Sequence, residues 1–337
     1  MKKIPKKIFH AVFLLIIGFI TYFVLLVEFS KTPVDKTNTQ ILVEIPAGSS
    51  FLKITEILTE AGVVKSRLLF YGLAISKKAS RSIRAGEYEF NTSMTPSQIL
   101  SKLLRSEIKS YRVTIPEDLS AVEIASRLKE YKLIDEETFF ELAENEEFLK
   151  SAGINARSVE GYLFPDTYNF DRSMGTRLIM LTMVNQFWKK VTPAMLDRAS
   201  RLGLSIQQYV TLASMIGKES GNNTEKPMIS AVFHNRLKKK MRLQSDPTAV
   251  YDLENFEGAV RRSHLKRNSP YNTYLINGLP PGPIANPGLD SLKAAVYPAR
   301  INYLYFVSQG DGSHFFSSSL ELHNQGVARY RETKNNK

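Results

Sequence analysis

The sequence predicts an α+β protein with one N-terminal transmembrane helix, a small α+β module and a larger α+β domain. Three observations predict it. An uncharged apolar run of 20 residues stands near the N-terminus. A strand–turn–helix pattern occurs twice further on. A last section opens on helical patterns and closes on a hairpin signal.

The apolar run is "IFHAVFLLIIGFITYFVLLV", Ile8 to Val27. As a helix it spans about 30 Å, the thickness of a bilayer's hydrocarbon core. It ends in Glu28, Phe29, Ser30 and Lys31, with no small-residue cleavage pattern, so it reads as an anchor and not as a removable signal. A buried core helix is the competing reading. Lys2, Lys3, Lys6 and Lys7 precede the run, which places the N-terminus in the cytoplasm and everything after about residue 28 outside the plasma membrane. "SKTPVDKTNTQ" follows, polar and proline-containing, and reads as a tether.

The repeat comes next. "VEIPAGSSFLKITEILTEAGVVKSRLLF" (Val43 to Phe70) aligns without gaps, 70 positions on, with "VTIPEDLSAVEIASRLKEYKLIDEETFF" (Val113 to Phe140). Ser50 and Ser120 stand near the helix starts, and Ile54 with Leu58, like Ile124 with Leu128, has the i, i+4 spacing of a buried stripe. "EYEFNTSMT" at Glu87 then matches "TYNFDRSMG" at Thr167, now 80 apart. The second copy therefore carries about ten extra residues, at or near "VEGYLFPDTY" (Val159 to Tyr168). An insertion into one copy of a duplicated scaffold is a natural place for added function. The expected organisation is a cytoplasmic tail at 1–7, a transmembrane helix at 8–28, a linker at 29–40, a module at 41–108 and the larger domain at 109–337. In that domain helices are expected over Pro193 to Leu202 and Ser205 to Ser220, and a hairpin within Tyr303 to Ser318.

Composition narrows the chemistry. The chain has no cysteine, which excludes disulfides, thiolate metal sites and cysteine nucleophiles. The formal net charge is +12; the four N-terminal lysines hold four of it, which leaves about +8 beyond the span. An anionic surrounding, wall polymer or lipid headgroups, suits such a surface. Nucleic acid is not expected, because no basic stretch is interleaved with aromatics. A solvated basic surface with no particular partner competes with both. No phosphate-binding glycine loop, H-E-x-x-H helix or G-x-S-x-G elbow occurs. The five histidines show no metal-ligand spacing, so no metal or cofactor is expected.

One acid stands out. In "VTLASMIGKESG" (Val210 to Gly221), Leu212, Met215 and Ile216 lie seven, four and three residues before Glu219 and share its helical face. Partial desolvation and the negative end of the helix dipole both raise the pKa of a carboxyl placed there. A protonated acid near neutrality is what glycosidic cleavage requires. A frayed helix end capped by Gly221 is the competing reading. Downstream, Thr224 reads as a cap for a helix with Pro227 in its first turn, and Asp246 as an N-cap before Pro247. Gln244 has no such explanation and suits a cleft. "SPYNTYLINGLPPGPIANPG" gathers tyrosines and a Pro/Gly loop, apt for stacking on sugar faces, or a plain surface loop. His314 reads as a packing or surface residue at a strand end.

In order along the chain, "EGYLFPDTY", "LASMIGKESG", "AVFHNRL", "MRLQSDPTAVY", "YNTY", "GLPPGPIANPG", "SLKAAVYPA" and "YLYFV" resemble the endolytic murein transglycosylases, the YceG-like family. The resemblance covers nearly the whole chain. It implies a LysM-like module after the anchor and an α+β catalytic domain with an active site similar to that of goose-type lysozymes. It implies that Glu219 is the catalytic acid, with Glu160, Gln244, Asp246, Tyr271 and Asn272 as substrate contacts. It implies peptidoglycan glycan strands as substrate and the wall-synthesis machinery as partner. In the family's "EKET"-type motif the second glutamate does the chemistry; this sequence has Gly217 where the first usually stands and Ser220 for the threonine. A muramidase that uses water, with Glu160 or Asp246 as base, and a wall-binding scaffold without turnover are the alternatives.

Overall fold

A computed structural model describes residues 6–77, 83–253 and 256–335. The chain is a mixed helix-and-sheet protein in two compact units. One comprises residues 1–111 with 169–173, and the other residues 112–168 with 174–337. The first element, α1 (Lys6–Lys31), is long and apolar enough to cross a membrane. Lys2 and Lys3, on which its expected orientation partly rests, lie outside the described residues.

In the first unit β1 (Gln40–Ile45) leads through α2 (Phe51–Glu60) and α3 (Arg67–Ser76) to β2 (Gly86–Asn91) and α4 (Pro96–Leu104). β1 and β2 pair antiparallel, with Val43 opposite Tyr88 and Ile41 opposite Phe90. The Ser50 hydroxyl accepts the Lys53 N–H and starts α2, and Thr95 with Gln98 forms a reciprocal capping box that starts α4. Ile54, Leu58, Phe70, Tyr88 and Leu103 fill the core. Within the stretch expected as a linker, residues 29–40, hydrogen bonds reach the end of β2. Asp35 N–H donates to the Thr92 carbonyl (3.3 Å), and Thr39 and Thr92 exchange backbone and hydroxyl bonds at 3.0 Å. A polar, proline-containing sequence hid the pairing because threonines satisfy a strand end as readily as they solvate a linker.

The second copy of the repeat reads β3 (Tyr111–Thr114), α5 (Ala121–Glu130), α6 (Glu136–Ala143), α7 (Glu146–Ser151), β4 (Thr167–Phe170) and α8 (Gly175–Lys190), with β3 and β4 paired. Ser120 and Glu123 cap α5 reciprocally. Between α6 and β4 this copy carries α7 and the segment with Glu160.

The rest of the second unit consists of α9 (Pro193–Arg201), α10 (Ile206–Glu219), α11 (Lys226–Lys238), α12 (Leu289–Val296), β5 (Tyr305–Ser308), β6 (His314–Ser317) and α13 (Leu320–Asn335). β5 and β6 form the expected hairpin, with Phe306 opposite Phe316. α10 is started by Ser205 and Gln208 and is surrounded by α9, α11 and α12. Every residue from Tyr209 to Gly217 is buried, so α10 is a central helix and not one with a single apolar face. Two expected caps differ. Glu225, and not Thr224, precedes α11, while the Thr224 hydroxyl turns back to Asn222. Ser245, and not Asp246, precedes the short 3₁₀ turn at Asp246–Ala249. In each case the turn closes one residue away because the hydroxyl or carboxylate has a competing partner.

Candidate active site

Glu219 is the last residue of α10. The helix ends on Ser220 in an extended conformation (φ −138°), so the chain turns away there without a left-handed glycine, and Gly221 is not the cap. The Glu219 side chain is half-buried. Its Oε1 accepts the Ser245 hydroxyl at 2.5 Å. Burial above all pushes the carboxyl up to about 7, opposed by the Ser245 hydrogen bond and helped by the negative charge of Asp246. At neutral pH the group is divided between acid and carboxylate. A proton donor that must later accept a proton needs that balance.

Ser245 is positioned with care. Its N–H donates to Thr273 Oγ1 (2.9 Å), Gln244 N–H to the Thr273 carbonyl (3.2 Å), and Thr273 N–H to Thr248 Oγ1 (3.1 Å). From the other side the buried guanidinium of Arg236 on α11 donates to the carbonyls of Arg242 and Leu243 and to Gln244 Oε1, each at 3.0 Å. It also faces the Tyr305 ring on β5 at 5.1 Å. The loop that meets the acid is thus held from both sides before any ligand arrives.

The expected contact residues fall into two groups. Gln244 and Asp246 flank Ser245. Gln244 is exposed, sits at φ 53°, and among the described residues its Nε2 makes no hydrogen bond. Asp246 is exposed, and its Oδ1 accepts the Tyr274 hydroxyl at 2.5 Å. Glu160 and Tyr271 meet at Tyr251: the Tyr251 hydroxyl donates to Glu160 Oε2 (3.0 Å), and its ring lies 4.7 Å from that of Tyr271. Tyr271 stands two residues before Thr273, which joins the groups. Asn272 turns inward. It is fully buried, its amide nitrogen donates to the carbonyls of Leu265 and Arg267 and its oxygen accepts the Tyr274 N–H, so it shapes this loop from behind.

Glu160 is buried and saturated. It accepts from the Ala121 N–H at the start of α5 (3.1 Å to each oxygen), from Asn286 Nδ2 (2.7 Å) and from Tyr251. Burial pushes it up to about 7 against those donors. Asn286 is the hub: its Oδ1 accepts the N–H groups of Gly161 and Leu163 (2.9 Å each), and its Nδ2 also donates to the Leu119 carbonyl at 3.0 Å. Three separate segments meet on one amide. Among the described residues no group of three or more metal-ligating side chains is assembled. The hollow lined by Gln208, His234 and Leu279 lies toward the other end of α10, eleven residues or about 16 Å from Glu219, and is not part of this site.

A family model described as YceG-like matches residues 43–329. The chain belongs to the YceG-like family. It is 32% identical over 325 residues to a protein of Bacillus subtilis strain 168 named endolytic murein transglycosylase, with 90% of this chain and 89% of that protein covered. A protein of the same name from Streptococcus pneumoniae serotype 2 is 28% identical over 343 residues, and the match takes in 91% of this chain but 61% of the streptococcal length. A crystal structure of a YceG-like protein from Listeria monocytogenes matches with a TM-score of 0.60 at 33% identity, covering 85% of this chain and 98% of the other.

Reading motifs alone missed several partners in this YceG-like chain. Ser245 lies inside "MRLQSDPTAVY" with no role expected of it; Tyr251, Tyr274, Arg236 and Asn286 likewise lie within the motif segments. Their proximity to Glu219, Asp246 and Glu160 depends on loop closures of up to about a hundred residues or more, which no spacing rule encodes. Gly217 has a structural partner as well: the Asp118 carboxyl lies against it, where no Cβ fits.

Proposed function

We propose that this chain is a membrane-anchored endolytic lytic transglycosylase. It cleaves the bond between N-acetylmuramic acid and N-acetylglucosamine inside peptidoglycan strands and leaves 1,6-anhydro ends. The observation that carries the reading is Glu219: a half-buried carboxyl, held by Ser245 and pushed up to about 7. The relatives' shared name supplies the reaction class.

In the first step protonated Glu219 gives its proton to the glycosidic oxygen as the bond from the muramyl anomeric carbon to that oxygen breaks. The N-acetylglucosamine end departs as an alcohol. The Glu219 carboxylate then takes the proton of the muramyl C6 hydroxyl, whose oxygen closes on the anomeric carbon. Glu219 ends protonated again and no water is consumed. Because the nucleophile belongs to the substrate, proximity replaces a second enzymic carboxylate. That fits the geometry, since Glu160 is saturated by three donors and Asp246 is engaged by Tyr274. Tyr271, Tyr251 and the free Nε2 of Gln244 supply sugar contacts in this reading, and Asp246 keeps Glu219 basic enough to reclaim a proton.

The lysines ahead of the apolar run support an N-terminus in the cytoplasm with the site outside, and in this reading the first unit serves as a wall-binding module of LysM-like kind. An acid tethered to the membrane meets strands as they emerge, so termination of nascent strands beside peptidoglycan synthases is the setting that fits. Digestion of purified peptidoglycan followed by mass spectrometry tests the reaction. The wild type yields anhydro-muropeptides, and Glu219→Gln reduces the yield by about 10²–10⁴-fold. Reducing ends in place of anhydro ends would establish a muramidase, and equal yield from Glu219→Gln would leave a scaffold.

A further inference from the structure

The spanning helix and the first unit are built into each other. Leu26 of α1 is buried in the core shared with Leu58, Phe70 and Leu73, and Phe29 packs on the same cluster. Four residues earlier, Tyr22 presses its hydroxyl onto Gly72 of α3, where even a Cβ would collide with it. Tyr22 lies inside the apolar run that ends at Val27. Five residues of helix put it about 7–8 Å below the upper edge of that run. Whatever touches Tyr22 is therefore drawn down to the same level.

α3 has the surface for it. The helix is apolar throughout apart from its ends, "RLLFYGLAIS". Phe70, Leu73 and Ala74 face the core, whereas Leu68 and Ile75 are 78% and 55% exposed. Leu68, Tyr71, Gly72 and Ile75 follow i, i+3, i+4, i+7 spacing and form one stripe, with Gly72 of that stripe against Tyr22. Lys65 stands just before the helix and Lys77 just after it, both exposed. In water such a stripe is an unfavourable surface.

We propose that α3 lies in the outer interface of the bilayer, with Leu68 and Ile75 among the upper acyl chains and Lys65 and Lys77 at the phosphates. The inference rests on α1 being a membrane anchor, and its occupant is the phospholipid surface itself. Interfacial helices bury their apolar face about 5–10 Å below the headgroup boundary, which is the depth that Tyr22 dictates. Lysines at the two ends match the negative headgroups, and long lysine stems reach up from a shallow helix. The first unit would then be seated in the membrane at a fixed height instead of swinging on a leash.

The chain has no cysteine, so single labels are simple to place. Nitroxide probes at Leu68→Cys, Ile75→Cys and Phe13→Cys are introduced into the full chain, reconstituted in phosphatidylglycerol–phosphatidylethanolamine vesicles. Their relaxation by oxygen, which concentrates in lipid, is compared with that by an aqueous nickel complex. All three positions are exposed, so the labels leave the core intact. The expected result is oxygen-dominated relaxation at Phe13, and at Leu68 and Ile75 a shallower oxygen preference placing them about 5–10 Å below the headgroup boundary. Nickel-dominated relaxation at Leu68 and Ile75 with Phe13 still in lipid overturns the proposal and leaves the anchor standing. Nickel-dominated relaxation at Phe13 removes the anchor, and the proposal with it.

Discussion

The Asp118 carboxyl packs against the backbone of Gly217, two residues before the acid of the site. Among the described residues its Oδ1 is buried without a hydrogen-bond partner, and burial pushes the carboxyl up to about 6 against the pull of Lys226. Asp118 also sits at φ 65°. Gly48, the residue 70 positions earlier in the other copy of the repeat, holds the same left-handed conformation at φ 76° without a side chain. Asp118 and Gly217 are a matched pair: one brings a side chain to a glycine-like position, and the other gives up its side chain to make room.

Gly217→Ala should therefore lose about 1–3 kcal/mol of stability through overpacking. Asp118→Gly should be neutral or stabilising, because it removes left-handed strain and a buried unpaired oxygen. The double variant should recover most of what Gly217→Ala loses. Urea midpoints of the four proteins measure this, and strictly additive effects would disprove the pairing.

Ser245 tunes the acid. Its hydroxyl favours the ionised form of Glu219, so Ser245→Ala should raise the Glu219 pKa above its present value of about 7. The limb of the pH–rate profile on which activity falls with rising pH should move upward while turnover drops. A limb that stays in place or shifts downward contradicts the assignment.

The same carboxyl makes stability depend on pH. Its folded pKa is raised, so the folded state holds a proton that the unfolded state releases. No penalty exists below about 4.5; it grows as pH rises and is complete above about 7. Glu219→Gln should melt with the wild type at pH 4 and be more stable by about 1–3 kcal/mol at pH 8. Calorimetry at the two pH values decides, and a gain confined to low pH would reverse the sign.

Asn286 ties together three segments that the sequence keeps far apart. Asn286→Ala leaves the Gly161 and Leu163 N–H groups and the Leu119 carbonyl without their partner, and frees Glu160. A loss of about 3–5 kcal/mol is expected. Chemical denaturation measures it, and a loss below about 1 kcal/mol would mean that water replaces the amide.

Sequence alone determined what is local or periodic. The apolar run gave α1, the 70-residue repeat gave β1–α2 and β3–α5, and the spacing of Leu212, Met215 and Ile216 put Glu219 at the end of a buried helix. Such features depend on residues three to seven apart, where helical geometry leaves little freedom. Tertiary structure decided the rest. It brought Ser245 to Glu219 across 26 residues, Asn286 to Glu160 across 126, and Asp118 to Gly217 across 99. It also linked Asp35 and Thr39 to the end of β2 and set α3 against Tyr22. Those contacts follow from how loops close over a packed core, where many polar partners are chemically equivalent and only the position in space selects among them.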